Sequence, residues 1–401
     1  MTVVDVRIGA VRTGILERFE DEEHRFSFDG DWLSNPTHPI LGQLFEDRLP
    51  RDIHTSGLPC WFAHLLPQGP LLRMIAREAG VDPLDYLDIL QFLGADLPGA
   101  VVLSPGQAPS YRRPPAQTEP ATGTGGRLRF SALAGAQSKL SVHPGERGLV
   151  LPVEGGMGSW IAKFHSPSFT DLPRVEHATM TWARESGIRV PPFRLGSADE
   201  IVDIPEGIPT GSGEVYLIER FDRQPGNIRV HMEDFGQVLD RPPGDGPGGQ
   251  FSGRYEHIAA VLSAIAPHDI RELCERIVFC VLAGNGDAHL KNWTVLYPDG
   301  RTPRLSPAYD LVSTVVYPHV VEDCLALDLG TSRRFEDVSE MSFELLARSC
   351  GISFEEMTTW VRAQAERVRA VWAERATDFS YSDAERGHIE AHLARVPLGR
   401  Q

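Results

Sequence analysis

The stretch Cys280–Asp310, CVLAGNGDAHLKNWTVLYPDGRTPRLSPAYD, indicates how the rest of the chain is organised. It begins in an apolar predicted helix and passes through the small-residue turn Gly284–Gly286. A predicted hairpin follows, with Pro298-Asp299-Gly300 at its bend. Between turn and hairpin stand the polar residues Asp287, His289, Lys291 and Asn292. Because these polar residues lie between two strongly apolar segments, we interpret the stretch as an active centre.

The spacing of two acids and an amide in this stretch is typical of phosphoryl transfer. Asn292 stands five residues after Asp287, and Asp310 follows the hairpin. In kinase catalytic loops the first acid orients a hydroxyl and accepts its proton, while the amide and the second acid hold Mg²⁺ on the phosphates. The alternative is a capped helix end with solvated loop residues, which the apolar surroundings disfavour.

Length and composition limit the class of protein. With 401 residues, two or three structural units are expected. A formal net charge of −16 opposes direct binding of nucleic acid, so contact with DNA would run mainly through a partner. Five dispersed cysteines indicate reduced thiols, not disulfides or a zinc site. Neither a signal peptide nor an apolar run of about 18 residues is visible, so we expect a cytoplasmic protein without membrane contact.

Periodicity and turn residues divide the chain into an α+β arrangement. The predicted units are 1–104, a small α+β unit; 105–126, a Pro- and Gly-rich linker; 127–220, a β-rich lobe; and 221–401, a helical lobe. In the first unit, helical spacing over 61–76 is broken by Pro67 and Pro70, and a second helix is predicted over 82–93. In the last, Ser353 and Ser382 each begin a capping box.

Three further segments could surround a nucleotide. Lys163 lies in an apolar strand and could reach phosphates while pairing with Glu176, although a solvent-facing strand lysine is the commoner explanation. The small-residue turn 132–136 would let backbone N–H groups approach phosphate oxygens, or is simply a tight turn. Residues 219–222 end a strand and could link two lobes beside an adenine, or form an ordinary charged strand end.

Five ordered motifs resemble the HipA family of bacterial serine/threonine kinases, the toxin halves of type II toxin–antitoxin modules. They are AGAQSK (134–139), IAKF (161–164), IERFDR (218–223), GDAHLKNW (286–293) and SPAYDLVS (306–313). FDGDWLSNP (28–36) and LLPQGP (65–70) resemble the N-terminal subdomain of that family. The resemblance covers nearly the whole chain.

The resemblance implies a protein-kinase-like fold, with a β-rich small lobe over a helical large lobe, and a set of site residues. It implies Asp287 as catalytic base and Asn292 and Asp310 as Mg²⁺ ligands. The implied ATP-binding residues are Ala134, Gly135, Ala136, Gln137, Ser138, Lys139, Lys163, Glu219, Arg220, Phe221, His289, Lys291, Asn292, Tyr309 and Asp310.

The resemblance also implies partners and regulation. It implies a protein substrate such as an aminoacyl-tRNA synthetase, growth arrest, and a HipB-like DNA-binding antitoxin. It implies autophosphorylation of a serine three residues before Gly135, but that position is Ala132. Either the neighbouring Ser131 takes this role, which makes it the candidate, or serine autoregulation is altered in this chain. Two alternatives share the catalytic residues, namely an aminoglycoside-type phosphotransferase and an ATP-binding co-repressor without turnover.

Overall fold

The structure is a computed structural model. It describes residues 2–20, 22–48, 52–94, 96–106, 137–146, 148–152, 157–244, 246–319 and 322–398. Most of the predicted linker, the strand predicted over 127–130 and the turn 132–136 lie outside the described residues.

The N-terminal unit is one antiparallel sheet covered by short helices. Its strands are β1 (Thr2–Ile8), β2 (Val11–Arg18), β3 (Glu23–Phe28), β4 (Asp52–Ser56) and β5 (Val101–Pro105). Its helices are α1 (Gly30–Ser34), α2 (Gln43–Arg48), α3 (Cys60–Ala63), α4 (Gly69–Ala79) and α5 (Tyr86–Leu93). The strand order is β4-β3-β2-β1-β5. The predicted break at the two prolines is confirmed, because α3 and α4 are separate helices.

The helix predicted from residue 82 begins four residues later than expected. The Asp82 carboxylate accepts a hydrogen bond from the Leu84 N–H at 2.8 Å, which forms a turn in place of a helical start. Helix α5 therefore begins at Tyr86, after Asp85.

In the part of the small lobe that the structure describes, six strands form one sheet and one helix packs against it. Its elements are β6 (Lys139–Gly145), β7 (Gly148–Val150), β8 (Trp160–Lys163), α6 (Leu172–Glu185), β9 (Phe193–Ser197), β10 (Ile201–Val202) and β11 (Glu214–Glu219). The strand order is β10-β7-β6-β8-β11-β9, and β10 with β7 is the parallel pair. Strand β11 leads directly into the large lobe, so its C-terminal end is the connection between the lobes.

The large lobe is mainly helical, with short strands near the connection. Its strands are β12 (Arg223–Gln224), β13 (Ile228–Arg229), β14 (His231–Asp234), β15 (Thr294–Tyr297), β16 (Arg304–Leu305), β17 (Cys324–Leu329) and β18 (Ser332–Arg334). Its helices are α7 (Phe235–Val238), α8 (Tyr255–Ile265), α9 (Ile270–Ala283), α10 (Glu344–Cys350), α11 (Phe354–Arg375) and α12 (Asp383–Arg395). The predicted hairpin is confirmed as β15–β16. The predicted capping box at Ser382 is confirmed, since Ser382 accepts from the Glu385 N–H and the Glu385 carboxylate accepts from the Ser382 N–H. Ser353 accepts from the Glu356 N–H, but the reciprocal bond of a capping box is not found there among the described residues.

Two hydrophobic cores hold the described chain together, and they do not follow the predicted domain limits. The larger core surrounds α9 and includes the inner face of α6, with Val175 and Trp182 fully buried. The second core contains the inner face of the N-terminal sheet, such as Val4 and Phe26, and continues into Val142 of the small lobe. The N-terminal unit therefore shares its core with the kinase-like part.

Together these elements confirm the α+β class and the two lobes. No helix among the described residues is long and apolar enough to cross a bilayer.

Candidate active site

The end of α9 and the loop after it place Asp287 and Asn292 side by side. Helix α9 stops at Gly284, whose φ of 64° lies in the left-handed region. The Asn285 side-chain oxygen then accepts from the Asp287 N–H at 3.0 Å, and the Asn292 amide donates to the Asp287 carbonyl at 2.7 Å. The two polar residues are thereby fixed at the two ends of one tight loop.

Thr314 stabilises this loop through two hydrogen bonds, a role that was not predicted from the sequence. Its hydroxyl donates to the Gly284 carbonyl at 3.0 Å and accepts from the Gly286 N–H at 2.8 Å. A Cβ at Gly286 would lie 2.6 Å from the Cys324 carbonyl oxygen, so that position accepts only glycine without rearrangement. The polar pair Ser313-Thr314, between apolar residues on both sides, was the available signal.

Asp310 lies opposite this loop in a strained backbone conformation. Its φ is 58°, in the left-handed region that is uncommon for a residue with a Cβ. One carboxylate oxygen lies 2.5 Å from the Lys163 Nζ. The same Nζ lies 2.5 Å from a carboxylate oxygen of Glu176 on α6. The pairing expected between Lys163 and Glu176 is present, and it includes Asp310 as a third member.

Burial and mutual charge set the ionisation of these three groups. Burial alone would raise the pKa of Asp310, but the neighbouring Lys163 and Lys139 hold it well below its usual range. Burial would lower the pKa of Lys163, yet the two carboxylates raise it above the ordinary value. Burial raises the pKa of Glu176 to about 7, against the opposing effect of Lys163. The strand lysine is therefore a fixed positive charge at the site.

Lys139 adds a second ammonium on the neighbouring strand. Its Cα pairs with that of Lys163 across β6 and β8, which places the two side chains on one face of the sheet. Lys139 is buried and no side-chain partner is recorded for it among the described residues. Burial lowers its pKa to about 8, with Asp310 acting in the opposite direction. This ammonium is available for an anionic ligand.

Asp287 differs from Asp310 in its ionisation. Its side chain opens to solvent in the cleft, although protein surrounds it on the remaining sides. Desolvation, followed by the negative charge of Asp310, raises the pKa of the Asp287 carboxyl to about 7. A carboxylate with this pKa can accept a proton near neutral pH.

Asn292 and Asp310 line one pocket, and both carry side-chain oxygen atoms suited to a divalent cation. One Asp310 carboxylate oxygen is engaged by Lys163, and no partner is recorded for the other within the described residues. The Asn292 amide nitrogen donates to the Asp287 carbonyl, while its side-chain oxygen has no hydrogen-bond partner in the part of the chain that the structure describes. A free carboxylate oxygen and a free amide oxygen fit Mg²⁺, which takes oxygen ligands and keeps several waters.

Some predicted nucleotide contacts lie beside this cleft. The Gln137 amide donates to the Phe164 carbonyl at 2.6 Å, and the Ser138 carbonyl accepts from the Phe164 N–H at 3.0 Å. These two residues are thereby attached to the chain directly after β8. The Phe221 ring lies 5.4 Å from that of Tyr309, at the connection between the lobes. Glu219 is the last residue of β11 and pairs with Trp160 of β8.

Other predicted contacts are placed differently or lie outside the described residues. The Arg220 guanidinium is buried against Asp96 and Asp222, on the side of the N-terminal unit. The Lys291 ammonium also turns to that unit, and the His289 ring packs edge-on against Phe251. Only backbone atoms of Arg220 and Lys291 could therefore line the cleft. Ser131, Ala134, Gly135 and Ala136 lie outside the described residues.

Comparison with known proteins gives the family. A model of the HipA-like C-terminal domain matches residues 131–372, and a model of the HipA N-terminal domain matches residues 4–104. The chain belongs to the HipA family. Among its relatives in this HipA family is Y4dM of Sinorhizobium fredii, a protein named as a candidate kinase, which is 35% identical over 100% of this chain and 98% of its own length.

More distant HipA proteins come from Shewanella oneidensis. The protein named serine/threonine-protein kinase toxin HipA is 26% identical, over 74% of this chain and 72% of its own length. A solved complex of HipA, HipB and operator DNA contains a chain that is 20% identical and superposes with a TM-score of 0.71, over 98% of this chain and 96% of that chain. The two-lobed, kinase-like α+β fold expected from the sequence is thereby confirmed, and the chain has the fold of a kinase family.

Proposed function

We propose that this chain is an ATP- and Mg²⁺-dependent serine/threonine protein kinase with Asp287 as its catalytic base. The observation that carries the proposal is the arrangement of Asp287 and Asn292 opposite Asp310, with Lys163 bridging Asp310 and Glu176. These are the parts that phosphoryl transfer requires, since catalysis there depends on positioning and charge stabilisation.

Each residue of the site has a distinct proposed role in phosphoryl transfer. Asp287 accepts the proton of a substrate serine or threonine hydroxyl, and the oxygen of that hydroxyl forms the new bond to the γ-phosphorus. The bond between the γ-phosphorus and the bridging oxygen of the β-phosphate breaks, which releases ADP. Lys163, held by Glu176, and Lys139 bind the phosphates of ATP. Asn292 and Asp310 would hold Mg²⁺, which supplies positive charge on the transferring phosphate.

The partners proposed for this chain follow from its family. The Shewanella complex contains HipB and operator DNA. We infer a HipB-like antitoxin for this chain, with DNA contacted mainly through that partner, because the formal net charge of −16 opposes direct contact. The proposed substrate is a cellular protein whose phosphorylation arrests growth, and the site of autophosphorylation is Ser131.

The test is phosphopeptide mass spectrometry after induction of the wild-type chain or the Asp287→Asn variant. We expect new phosphoserine or phosphothreonine peptides with the wild type alone, including one that contains Ser131. Phosphorylation of an antibiotic with no labelled protein would instead identify a small-molecule phosphotransferase, and ATP binding without turnover would identify a regulator.

A further inference from the structure

Lysine is rare in this chain, and every lysine is at the active centre. Of 39 basic residues, only three are lysines, at positions 139, 163 and 291, and 36 are arginines. All three lysines are buried, with exposures of 8%, 4% and 6%. Since arginine serves everywhere else, the three buried lysines mark positions where the chain uses a compact ammonium instead of a planar guanidinium.

Lys291 differs from the other two lysines because its ammonium points away from the cleft. Its Nζ donates to the backbone carbonyl of His64 in the N-terminal unit, at 3.1 Å. Burial lowers the pKa of Lys291, while the carboxylate of Asp234 acts in the opposite direction. In the chain, Lys291 directly precedes Asn292, so this contact fixes the backbone next to that residue.

The side chain of His64, the residue whose carbonyl receives Lys291, is held in place on several sides. The His64 Nε2 lies 2.6 Å from the Arg241 carbonyl, and its Nδ1 lies 3.3 Å from an Asp234 carboxylate oxygen. Gly236 packs so closely on the ring that a Cβ there would lie 2.2 Å from the His64 Cε1. These ring contacts fix the position of His64 next to the Lys291 ammonium.

A second contact from the N-terminal unit reaches Leu290, the residue before Lys291, by way of Gln250. The Gln68 amide donates to the Gln250 side-chain oxygen at 3.1 Å. The backbone carbonyl of Gln250 accepts from the Leu290 N–H at 3.1 Å. Two consecutive residues of the catalytic loop, Leu290 and Lys291, are thus connected to the N-terminal unit by independent routes.

We propose that the N-terminal unit is part of the catalytic apparatus, with Lys291 as the positioning residue through which it holds Asn292 opposite Asp310. This inference rests on the function proposed above and adds a role for residues 60–68 in it. Lys291 acts through Asn292, so its loss affects use of Mg²⁺ and the rate of transfer, whereas contact with ATP is little changed.

The first experiment compares Lys291→Met and Lys291→Arg with wild type in kcat, the KM for ATP and the Mg²⁺ concentration at half-maximal rate. We expect kcat to fall on the order of tenfold in both, which corresponds to about 1.4 kcal/mol, with a higher Mg²⁺ requirement and an unchanged KM for ATP. An unchanged kcat in a folded Lys291→Met protein would overturn the proposal. So would an increase in the KM for ATP alone, because that result would make the side chain a nucleotide ligand.

A second variant keeps the proposal testable if changes at Lys291 prevent folding. Gln68→Leu removes the hydrogen bond to the Gln250 side chain, which lies outside the cleft. Gln91→Leu on α5 is the matched control, because Gln91 makes no side-chain hydrogen bond within the described residues. We expect Gln68→Leu to lower kcat severalfold and to speed hydrogen exchange of the amides of residues 289–293, while the control changes neither. Exchange as slow as in wild type would contradict the proposed hold on the loop.

Hydrogen exchange also separates this inference from the proposed function, since it needs no turnover. If the wild-type chain transfers no phosphate but Gln68→Leu loosens residues 289–293, the proposed function fails and the contact between units remains. If phosphate is transferred and the exchange is unaffected, the inference fails alone.

Discussion

At the level of single residues, the ionisation of Asp287 and Lys139 sets the range of pH in which transfer proceeds. The Asp287 carboxyl, with its pKa raised to about 7 by desolvation and by Asp310, accepts a proton only when deprotonated. Lys139, with its pKa lowered to about 8 by burial, attracts phosphate only when protonated. We therefore expect kcat/KM for ATP to fall below about pH 7 and again above about pH 8.

The Lys139→Arg variant checks the assignment of the alkaline limb. Because a guanidinium stays charged throughout the accessible range, the decline above pH 8 should vanish while the acid limb remains. The comparison uses kcat/KM for ATP of wild type and Lys139→Arg, measured between pH 5.5 and 9.5, roughly the range around both pKa values. A wild-type profile without an alkaline limb would exclude this role for Lys139.

The charge balance around Lys163 makes a second prediction at this scale. Its side chain is 5% exposed and lies between the carboxylates of Glu176 and Asp310. Lys163→Met leaves two carboxylates near each other in a buried site, so the free energy of unfolding should fall by about 3 kcal/mol. Adding Glu176→Gln should recover part of that loss, as measured by urea denaturation near pH 7.5, where the wild-type groups hold their charges. Equal stability of all three proteins would refute the assigned charge pairing.

At the level of elements, the end of α9 determines the position of Asp287. Gly284 ends the helix with φ 64°, and a Cβ there would lie 2.5 Å from the Val315 methyl groups. Gly351 ends α10 with a similar φ of 69° and open space where a Cβ would be. The two glycines thus differ mainly in crowding.

We expect Gly351→Ala to lower the free energy of unfolding by about 1 kcal/mol through backbone strain, without an effect on phosphoryl transfer. Gly284→Ala should lower it further and reduce kcat at least about tenfold, because the clash displaces the loop that carries Asp287. Chemical denaturation and kinetics on the two proteins separate strain from displacement. Similar kinetics in both would show that crowding at Gly284 does not matter.

The elements also show what the sequence could and could not reveal. The turn at Gly284–Gly286, the β15–β16 hairpin and the broken helix at Pro67 follow from local residue types, and local patterns identified them. The start of α5 was misplaced because an Asp82 side-chain hydrogen bond competes with the helix. The pairing of Lys163 with Asp310, 147 residues apart, was not predicted, because no local pattern encodes a contact across the cleft.

At the level of the whole molecule, the N-terminal unit is attached at the connection between the lobes. Asp96 lies 3.0 Å from both Arg220 and Arg223, which also pair with Asp222, and all four side chains are at most 7% exposed. The two carboxylates balance the charges of Arg220 and Arg223 in this buried group, and the guanidinium of Arg229 also acts on it. From the sequence, Arg220 was predicted to be an ATP-binding residue, because no local pattern distinguishes the two faces of the strand end.

This balance predicts how the molecule unfolds. Asp96→Asn leaves an uncompensated buried charge, so the free energy of unfolding should fall by about 3 kcal/mol. Because the N-terminal unit shares a hydrophobic core with the small lobe, both wild type and variant should melt in a single transition. Calorimetry that resolves a separate transition for the N-terminal unit would contradict the shared core.

The most direct test of the proposed kinase measures ATP binding and γ-phosphate transfer on the same two proteins, wild type and Asp287→Asn, with Mg²⁺ present. Because Asp287 takes a proton and does not hold the nucleotide, the variant should bind ATP with wild-type affinity. Its transfer of phosphate to protein should fall by on the order of 10³-fold. Transfer at the wild-type rate by Asp287→Asn would contradict the account.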